Sequence, residues 1–348
     1  MLNVAIFMGS LCVGGTERSA IALASSMNQR GHRFSIDTYV GGPLLNEALK
    51  IGLDCRVHNH LRVFENMWSG LRSTYPYHLY VTAVKALEWR RQGIQIVVNT
   101  CPITAIFSEV TRPIHGAKVV CWTHYNWRHE SQNFHKRLLR RVSVAYRCSD
   151  AFVGVSDASL AAFVEDLCLS QPSTKIYNIV DITHASSIAQ RDRNLIVWIG
   201  RIVPLKQLEH LIWAFLFARR LNPKLHLKVF GTGAPDYLDS LRRLASELDV
   251  DQYVCFVGYT NQPFAELASA GAVVLCSQHE ALPTVLVEAL AAGTPFVSYN
   301  SPHGPWEISD RGRAGLIVPQ NSIVELAEAM VRLTTQPVLY QELIDHAQ

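Results

Sequence analysis

The chain has 348 residues, 49 % hydrophobic and 18 % charged, with a formal net charge of +3. That length suits two domains better than one core, the composition excludes a disordered chain, and no apolar run reaches the roughly 18 residues of a membrane span. The charge is uneven: residues 1–180 carry 19 Lys and Arg against 12 Asp and Glu, and residues 181–348 carry 13 against 17. A basic first half points to an anionic surface or acceptor for one domain and not for the other.

The opening MLNVAIFMGS lacks a basic leader and reads at once as a strand, so no signal peptide is expected. Residues 2–8 form that strand, the loop GSLCVGGTER follows, a helix runs from near Thr16 through Met27, and residues 33–40 are the next strand. This βαβ opening sets the amides of Gly14 to Glu17 at a helix N-terminus. The loop has the glycine spacing of a P-loop but carries Gly15 where the phosphate-binding Lys must stand, and no GxGxxG is present. Residues 41–95 carry the weakest signal. Within them 77–91 reads as a helix, and Arg62, Phe64, Trp68, Arg72 and Tyr75 before it suit either an acceptor site or ordinary surface and core.

Residues 94–99 and 118–122 are strands, and the second runs into THYNW. His124 thus sits just past a strand's C-terminal end, where open α/β sheets place ligand contacts. Residues 134–147 read as a helix with Lys136, Arg137, Arg140 and Arg141 spaced among Leu138, Leu139, Val142 and Val144, a face suited to an anionic membrane surface or to plain solvent. A strand at 151–155 precedes Ser156, an N-cap candidate, and the polar stretch 178–194 reads as a linker. Eight cysteines without a CxxC fall mostly in apolar runs, which predicts small core residues in a reducing cytoplasm.

The βα rhythm then restarts. A strand at 195–199 leads into GRIVPLK with Arg201 and Lys206, a helix covers 208–220, a strand at 225–230 ends in GTG at Gly231, and a helix covers 237–248. Strands at 254–257 and 272–277 flank a short helix at 263–269; a helix at 285–292 stops at Gly293, and a strand at 296–298, the turn SPHGPWEIS, the strand AGLIV and a helix from 322 complete the chain. The alternation predicts an α/β fold of two Rossmann-like parallel-sheet domains, residues 1–182 and 183–348, facing across a cleft.

HEALPTVLVEALAAGTP holds the strongest chemical signal, with Glu280 before a helix start and Glu288 on its first turns. With Pro283 as the first helical residue, the amides around Leu282 and Thr284 meet whatever Glu280 faces, and the helix dipole favours an anion there. Glu288, among Val287, Ala289 and Leu290, is expected to be partly buried and to need a partner. Arg201, Lys206, the Gly231 turn and this junction all fall at C-terminal strand ends, so they are expected to converge on one extended ligand such as a sugar nucleotide.

The stretches IVWIGRIVPLKQLEHLIWAF, LKVFGTG, FVGY, HEALPTVLVEALAAGTP and GLIVP, with weaker GGTER, FVGVSD and IYNIVD, resemble the retaining GT-B glycosyltransferases of glycosyltransferase family 4. The resemblance implies an N-terminal acceptor-binding domain and a C-terminal donor-binding one. It implies that Arg201 and Lys206 bind the donor diphosphate, that Glu280 holds the transferred sugar, and that Glu288 holds the nucleotide ribose. The segment Leu282, Pro283 and Thr284 would serve sugar and phosphates, Gly14 and Gly15 would lie near the donor phosphate, and His124 near the reacting sugar. Gln207 departs from the pattern, which usually has Gly there, and the chain stops at Gln348 where relatives often continue into a helix that packs back on the first domain.

The expected activity is retaining transfer of a hexose or N-acetylhexosamine from a nucleotide sugar, with UDP the expected nucleotide, to a lipid-linked or surface-polysaccharide acceptor. The turn SPHGPWEI resembles members that act on such acceptors. Work at the cytoplasmic face of an anionic membrane is expected, with no nucleic acid partner, no cofactor and no metal: the one Asp-x-Asp, Asp249-Val250-Asp251, precedes a strand at the sheet edge opposite the site. The alternatives are a sugar-nucleotide epimerase of the same architecture and a non-catalytic sugar-nucleotide-binding protein.

Overall fold

The computed structural model describes residues 1–58, 75–180 and 191–347. It divides into two compact units, Met1–Ile179 and Val180–Gln348. The acceptor candidates Arg62, Phe64, Trp68 and Arg72, the side chain of Tyr75, and residues 181–190 of the expected linker lie outside the described residues.

The first unit runs β1 (Asn3–Ser10), α1 (Gly15–Gln29), β2 (Arg33–Val40), α2 (Pro43–Lys50), β3 (Asp54–Val57), α3 (Tyr75–Gln92), β4 (Ile96–Asn99), α4 (Pro102–His115), β5 (Lys118–Thr123), α5 (Trp127–Asn133), α6 (Lys136–Cys148), β6 (Ala151–Gly154), α7 (Asp157–Leu167) and β7 (Ser173–Lys175). Its seven strands pair in parallel in the order β3-β2-β1-β4-β5-β6-β7. Helices cover both faces of such a sheet, so the central strand reads as a continuous apolar run; Val4 to Met8 are all buried. Phe7, Tyr39, Trp89 and Phe107 form one ring cluster, with Phe7 and Trp89 edge to face at 5.2 Å. Trp89 also donates its indole N–H to the buried Asp37 carboxylate at 2.9 Å, and Lys85 pairs with that carboxylate at 2.6 Å, so α3 is pinned to β2 by polar bonds as well as by rings.

The second unit runs β8 (Asp192–Ile199), α8 (Leu208–Leu221), β9 (His226–Phe230), α9 (Pro235–Glu247), β10 (Val254–Gly258), α10 (Pro263–Ser269), β11 (Ala270–Leu275), α11 (Thr284–Ala291), β12 (Phe296–Tyr299), α12 (Pro305–Ile308), β13 (Leu316–Val318), α13 (Ile323–Thr335) and α14 (Pro337–Ala347). Its six-stranded parallel sheet has the order β10-β9-β8-β11-β12-β13. The two Rossmann-like parallel sheets are the architecture that the βα alternation predicted. In each sheet the strand order reverses once, between β1 and β4 and between β8 and β11, and the crevice outside the carboxyl ends at such a reversal is where these sheets take ligands.

Several elements differ from expectation for local reasons. Helix α4, in a stretch to which no element was assigned from the sequence, begins at Pro102 and contains Pro113, yet eight of its residues are buried and packing outweighs the internal proline. The helix expected from 134 begins at Lys136, because Phe134 is extended and the His135 ring accepts from Arg137 N at 3.4 Å to start α6, and a separate short helix, α5, precedes it. Pro337 divides the last helical stretch into α13 and α14. The polar run 178–194 is not linker to its end: β8 begins at Asp192, and Arg191 donates to Ala292 O at 3.0 Å, to Gly293 O, to Ala268 O at 3.2 Å and to the Tyr340 hydroxyl, closing the C-terminus of α11. The cysteines also correct the reading. All eight are free, but only Cys121 and Cys276 are buried, whereas Cys12, Cys148, Cys168 and Cys255 are exposed at loop, helix-end or edge-strand positions.

Candidate functional site

In the second unit the loops after β8 and β11 stand side by side at the strand-order reversal. The approach of the neighbouring β9 loop to the β8 loop rests on glycine. Gly231, at φ +144°, is so close to the β8 loop that a Cβ would stand 1.8 Å from the Gly200 carbonyl oxygen, and one on Gly233 would stand 2.1 Å from Ile202 O. Ile202 N donates to Thr232 O at 2.8 Å, which ties the β8 and β9 loops together and leaves Arg201 exposed on the rim.

Pro204–Lys206 then makes a single 3-10 turn. Gln207, which stands where the resembled pattern has Gly, adopts φ 49° and ψ 47°. A left-handed conformation costs an L residue about 1–2 kcal/mol, and the Gln207 side chain offsets part of this by donating to Asn321 Oδ1 at 3.1 Å and accepting from Gln320 Nε2 at 3.4 Å. Gln278 N donates to Leu205 O at 2.8 Å, and the buried Cys276 Sγ contacts the Lys206 and Gln207 carbonyls at 3.1 and 3.2 Å.

These bonds bring two predicted residues together in a way the sequence did not indicate. Lys206 Nζ stands 2.6 Å from Glu280 Oε1, with the side chains only 18 % and 10 % exposed. The sequence assigned Lys206 and Glu280 separate ligand contacts, whereas here each is the other's partner. A pair this far from water has little screening, and loss of one member leaves the other desolvated without its counter-charge.

Helix α11 follows directly. Pro283 is its N-cap, extended at φ −72° and ψ 98°, and Thr284 is the first helical residue, which corrects the placement of Pro283 inside the helix. The first turn closes with Leu286 N donating to Pro283 O at 3.0 Å, so the preceding amides lie at the positive end of the helix. Leu282 and Pro283 are buried, and Pro283, having no N–H, contributes shape alone. Gly304, at φ +94°, packs where a Cβ would meet Pro283 Cδ at 2.5 Å, so the SPHGP turn backs this helix start. Glu288 lies one turn further in and is half-buried, as expected.

In the first unit Gly14 is the extended N-cap of α1 and Gly15 its first residue. The Glu17 carboxylate folds over Gly14, 2.4 Å from where a Cβ would stand, and so already places negative charge at this helix N-terminus. His124 follows β5 as predicted, its ring 4.3 Å from that of Trp122. Both ring nitrogens are shielded from solvent without a hydrogen-bond partner of ordinary geometry. Burial pushes the imidazole down to about 3, opposed by the neighbouring Asn178 side chain, so His124 is neutral near pH 7. Sequence reasoning passed over Asn99, which closes β4 at the strand-order reversal. Its Oδ1 accepts from Ser108 Oγ at 2.7 Å, while Nδ2 is buried without a partner. The signal available was a polar residue ending the apolar run IVVN.

Lys136, Arg137, Arg140 and Arg141 are exposed along α6. Asp249 and Asp251 are exposed just before β10, at the edge opposite the β8 and β11 loops. Among the described residues no group of three or more His, Cys, Asp or Glu side chains could hold a metal ion, and no helix is long and apolar enough to cross a membrane.

The chain is similar to known proteins. A family model described as Glycosyltransferase Family 4 matches residues 13–184, and one described as Glycosyl transferases group 1 matches residues 180–348. Over 344 residues the chain is 24 % identical to an uncharacterized glycosyltransferase of Haemophilus influenzae, covering 95 % of this chain and 90 % of the relative. It is 27 % identical over 198 residues to a Campylobacter jejuni enzyme named N-acetylgalactosamine-N,N'-diacetylbacillosaminyl-diphospho-undecaprenol 4-alpha-N-acetylgalactosaminyltransferase, covering 55 % of this chain and 53 % of the relative, so that match spans about half of each. Among solved structures, Anabaena HepE in complex with UDP and glucose superposes with a TM-score of 0.80 at 17 % identity, covering 100 % of this chain and 94 % of the other. At that identity the likeness is one of fold.

Proposed function

Since the chain belongs to the GT-B glycosyltransferases of family 4, we propose that it moves a hexose or N-acetylhexosamine from a UDP-sugar to a lipid-linked or surface-polysaccharide acceptor, with retention and without a metal. The second domain takes the donor and the first the acceptor. The observation that carries this reading is the Lys206–Glu280 pair at 2.6 Å, set at the β8/β11 reversal beside the start of α11.

A donor diphosphate draws on Lys206 and Arg201 for charge compensation, and the amides at the start of α11 add to it. Glu280, freed from Lys206, then accepts hydrogen bonds from hydroxyls of the transferred sugar, while Glu288 holds the ribose. As the bond between the anomeric carbon and the diphosphate breaks, its electron pair goes to the phosphate oxygen and the sugar becomes oxocarbenium-like. The fixed cations and amides stabilise the leaving group without reorganising. The acceptor hydroxyl attacks on the face the diphosphate leaves and loses its proton to the departing phosphate. Neutral His124 can give or accept one hydrogen bond to the sugar but offers no positive charge to the phosphates.

UDP accompanies the HepE structure, and the Campylobacter relative is named for a diphospho-undecaprenol acceptor; these support the choice of nucleotide and acceptor class. The basic face of α6 suits work at an anionic membrane surface. The exposed Asp249 and Asp251 stand at the wrong sheet edge to hold a metal on the diphosphate.

The test is incubation with UDP-glucose, UDP-N-acetylglucosamine or UDP-N-acetylgalactosamine and diphospho-undecaprenol-linked saccharides in EDTA, with products analysed by NMR. UDP release and a new α-linked sugar on the lipid are expected. An isomerised UDP-sugar without acceptor supports the epimerase instead, tight donor binding with no turnover supports a binding protein, and activity abolished by EDTA and restored by Mn²⁺ removes the metal-free mechanism.

A further inference from the structure

Helices α4 and α6 of the first unit enclose a groove of about 620 Å³ that no step of the transfer uses. Its volume is that of a small-molecule site, typically ~300–1,000 Å³. Ile106 and Val110 of α4 and Val144 and Ala145 of α6 give it apolar lining, and Arg137, Arg140 and Arg141 of α6 give it positive charge. Val110 and Val144 are each 51 % exposed, although both lie on helices with ample buried surface elsewhere. We propose that this groove seats one anionic phospholipid of a bilayer, its phosphate among Arg137, Arg140 and Arg141 and its first acyl methylenes over Val110 and Val144. The proposal rests on the reading of a membrane-working transferase and deepens it, from a charged face near a surface to a built lipid site.

Charge complementarity selects this occupant. Guanidinium groups match phosphate oxygens with paired donors, and two exposed valines beside them suit the acyl methylenes that follow the glycerol esters of a phospholipid, which a nucleic acid or a soluble phosphate does not offer. The remaining charged group of the groove is Glu109. Its carboxylate lies 3.2 Å from Arg112, whose guanidinium also reaches Asp150 Oδ2 at 2.6 Å. Burial pushes Glu109 up to about 7 against the pull of Arg112, so it opposes an incoming phosphate with less than a full charge near neutral pH. Lys136 shares the exposed face of α6 without lining the groove, which separates a groove from a diffuse basic patch.

Sedimentation with mixed phosphatidylglycerol–phosphatidylcholine vesicles tests this. Arg137→Gln, Arg140→Gln and Arg141→Gln together should weaken binding on the order of 100-fold. The neutral pair Val110→Ser and Val144→Ser, whose folding is checked by Tm, should weaken it about 10-fold through lost methylene contacts, whereas Lys136→Gln should change it less than about 3-fold. Absence of vesicle binding, equal binding to pure phosphatidylcholine, unaltered binding of the valine pair, or a loss in Lys136→Gln equal to that in Arg140→Gln would each overturn the groove. UDP binding measured without vesicles is independent of this site, so its failure would count against the transferase reading alone.

Discussion

The two units carry the same kind of sheet and finish their strand ends differently. In the second unit glycine contacts lock the β9 loop to the β8 loop, and across the β8/β11 reversal the principal charges already face each other, as Lys206 and Glu280 do at 2.6 Å. In the first unit the strand ends near the β1/β4 reversal present neutral polar atoms: the His124 ring nitrogens, Asn99 Nδ2 and Trp122 Nε1 are buried without a protein partner. Buried polar groups of this kind cost free energy unless something hydrogen-bonds them. A site for a charged diphosphate needs fixed cations, whereas neutral buried donors and acceptors suit an uncharged polar group. Under the proposed reading, the paired charges of the second unit serve the donor and the neutral atoms of the first serve the acceptor.

The largest expected effect breaks the second unit's side of this comparison. Gly231→Ala forces a Cβ against the Gly200 carbonyl at a φ of +144°, and should cost about 3 kcal/mol or more in unfolding free energy, read as a lowered denaturant midpoint. A variant as stable as the parent would mean that the two loops are free to part.

Next in size is the charged site itself. Lys206→Ala and Arg201→Ala should each lose about 1.5–3 kcal/mol of transition-state stabilisation, on the order of 10 to 150-fold in kcat/KM. Lys206→Ala should stand at the upper end, because it also strands the Glu280 carboxylate, whereas Arg201 is exposed. Pairing Lys206→Ala with Glu280→Gln should then cost less than the sum of the single changes. Wild-type kcat/KM in both cationic variants would remove the phosphate site.

Two effects that appear only as pH is changed sharpen the first unit's side, and they have opposite signs. His124 is held below its ordinary 6.5, at about 3, so the unfolded chain binds a proton that the folded one refuses. Its contribution is fully present above about pH 6.5 and is lost as pH falls toward 3, by at most about 1.4 kcal/mol per pH unit. Glu109 is raised from 4.5 to about 7, so its contribution is present below pH 4.5 and is lost as pH rises through 7. Tm measured from pH 4 to 8 should therefore fall less steeply on acidification in His124→Phe and less steeply on alkalinisation in Glu109→Gln. Parallel curves for variant and parent would show that the group titrates normally.

How much of this was legible follows from the range of the forces involved. The alternation of apolar strands and helices is local, so the parallel sheets were readable, and so was the position of His124 after β5 and of Arg201, Lys206 and Glu280 after β8 and β11. Strand order is not local, and without it the placing of Asn99 at the β1/β4 reversal could not be read, nor that the β8 and β11 loops, expected to meet on one ligand, would pair Lys206 with Glu280 directly. The Lys206–Glu280 pair joins residues 74 apart through that adjacency. Pro283 was misplaced by one position because proline is tolerated both before and at the first helical residue, and ψ alone decides. Helix α4 lies in the stretch between the strands at 94–99 and 118–122 to which no element was assigned, and the cost of Pro113 inside it is met by buried neighbours such as Ile106 and Phe107. The cysteines misled because exposure depends on which side of an element a residue faces, as with Cys255 on β10, and flanking apolar residues do not report that.

Calorimetric binding of UDP and of a UDP-sugar to the parent chain, Lys206→Ala and Glu280→Gln tests the central claim most directly, because the account gives the pair divided duties once the donor enters. It predicts saturable UDP binding to the parent, binding of both ligands weakened on the order of 10-fold or more in Lys206→Ala, and, in Glu280→Gln, loss of the extra affinity that the sugar confers with UDP itself still bound. Equal UDP affinity in the parent and Lys206→Ala, or equal UDP-sugar affinity in the parent and Glu280→Gln, would contradict it.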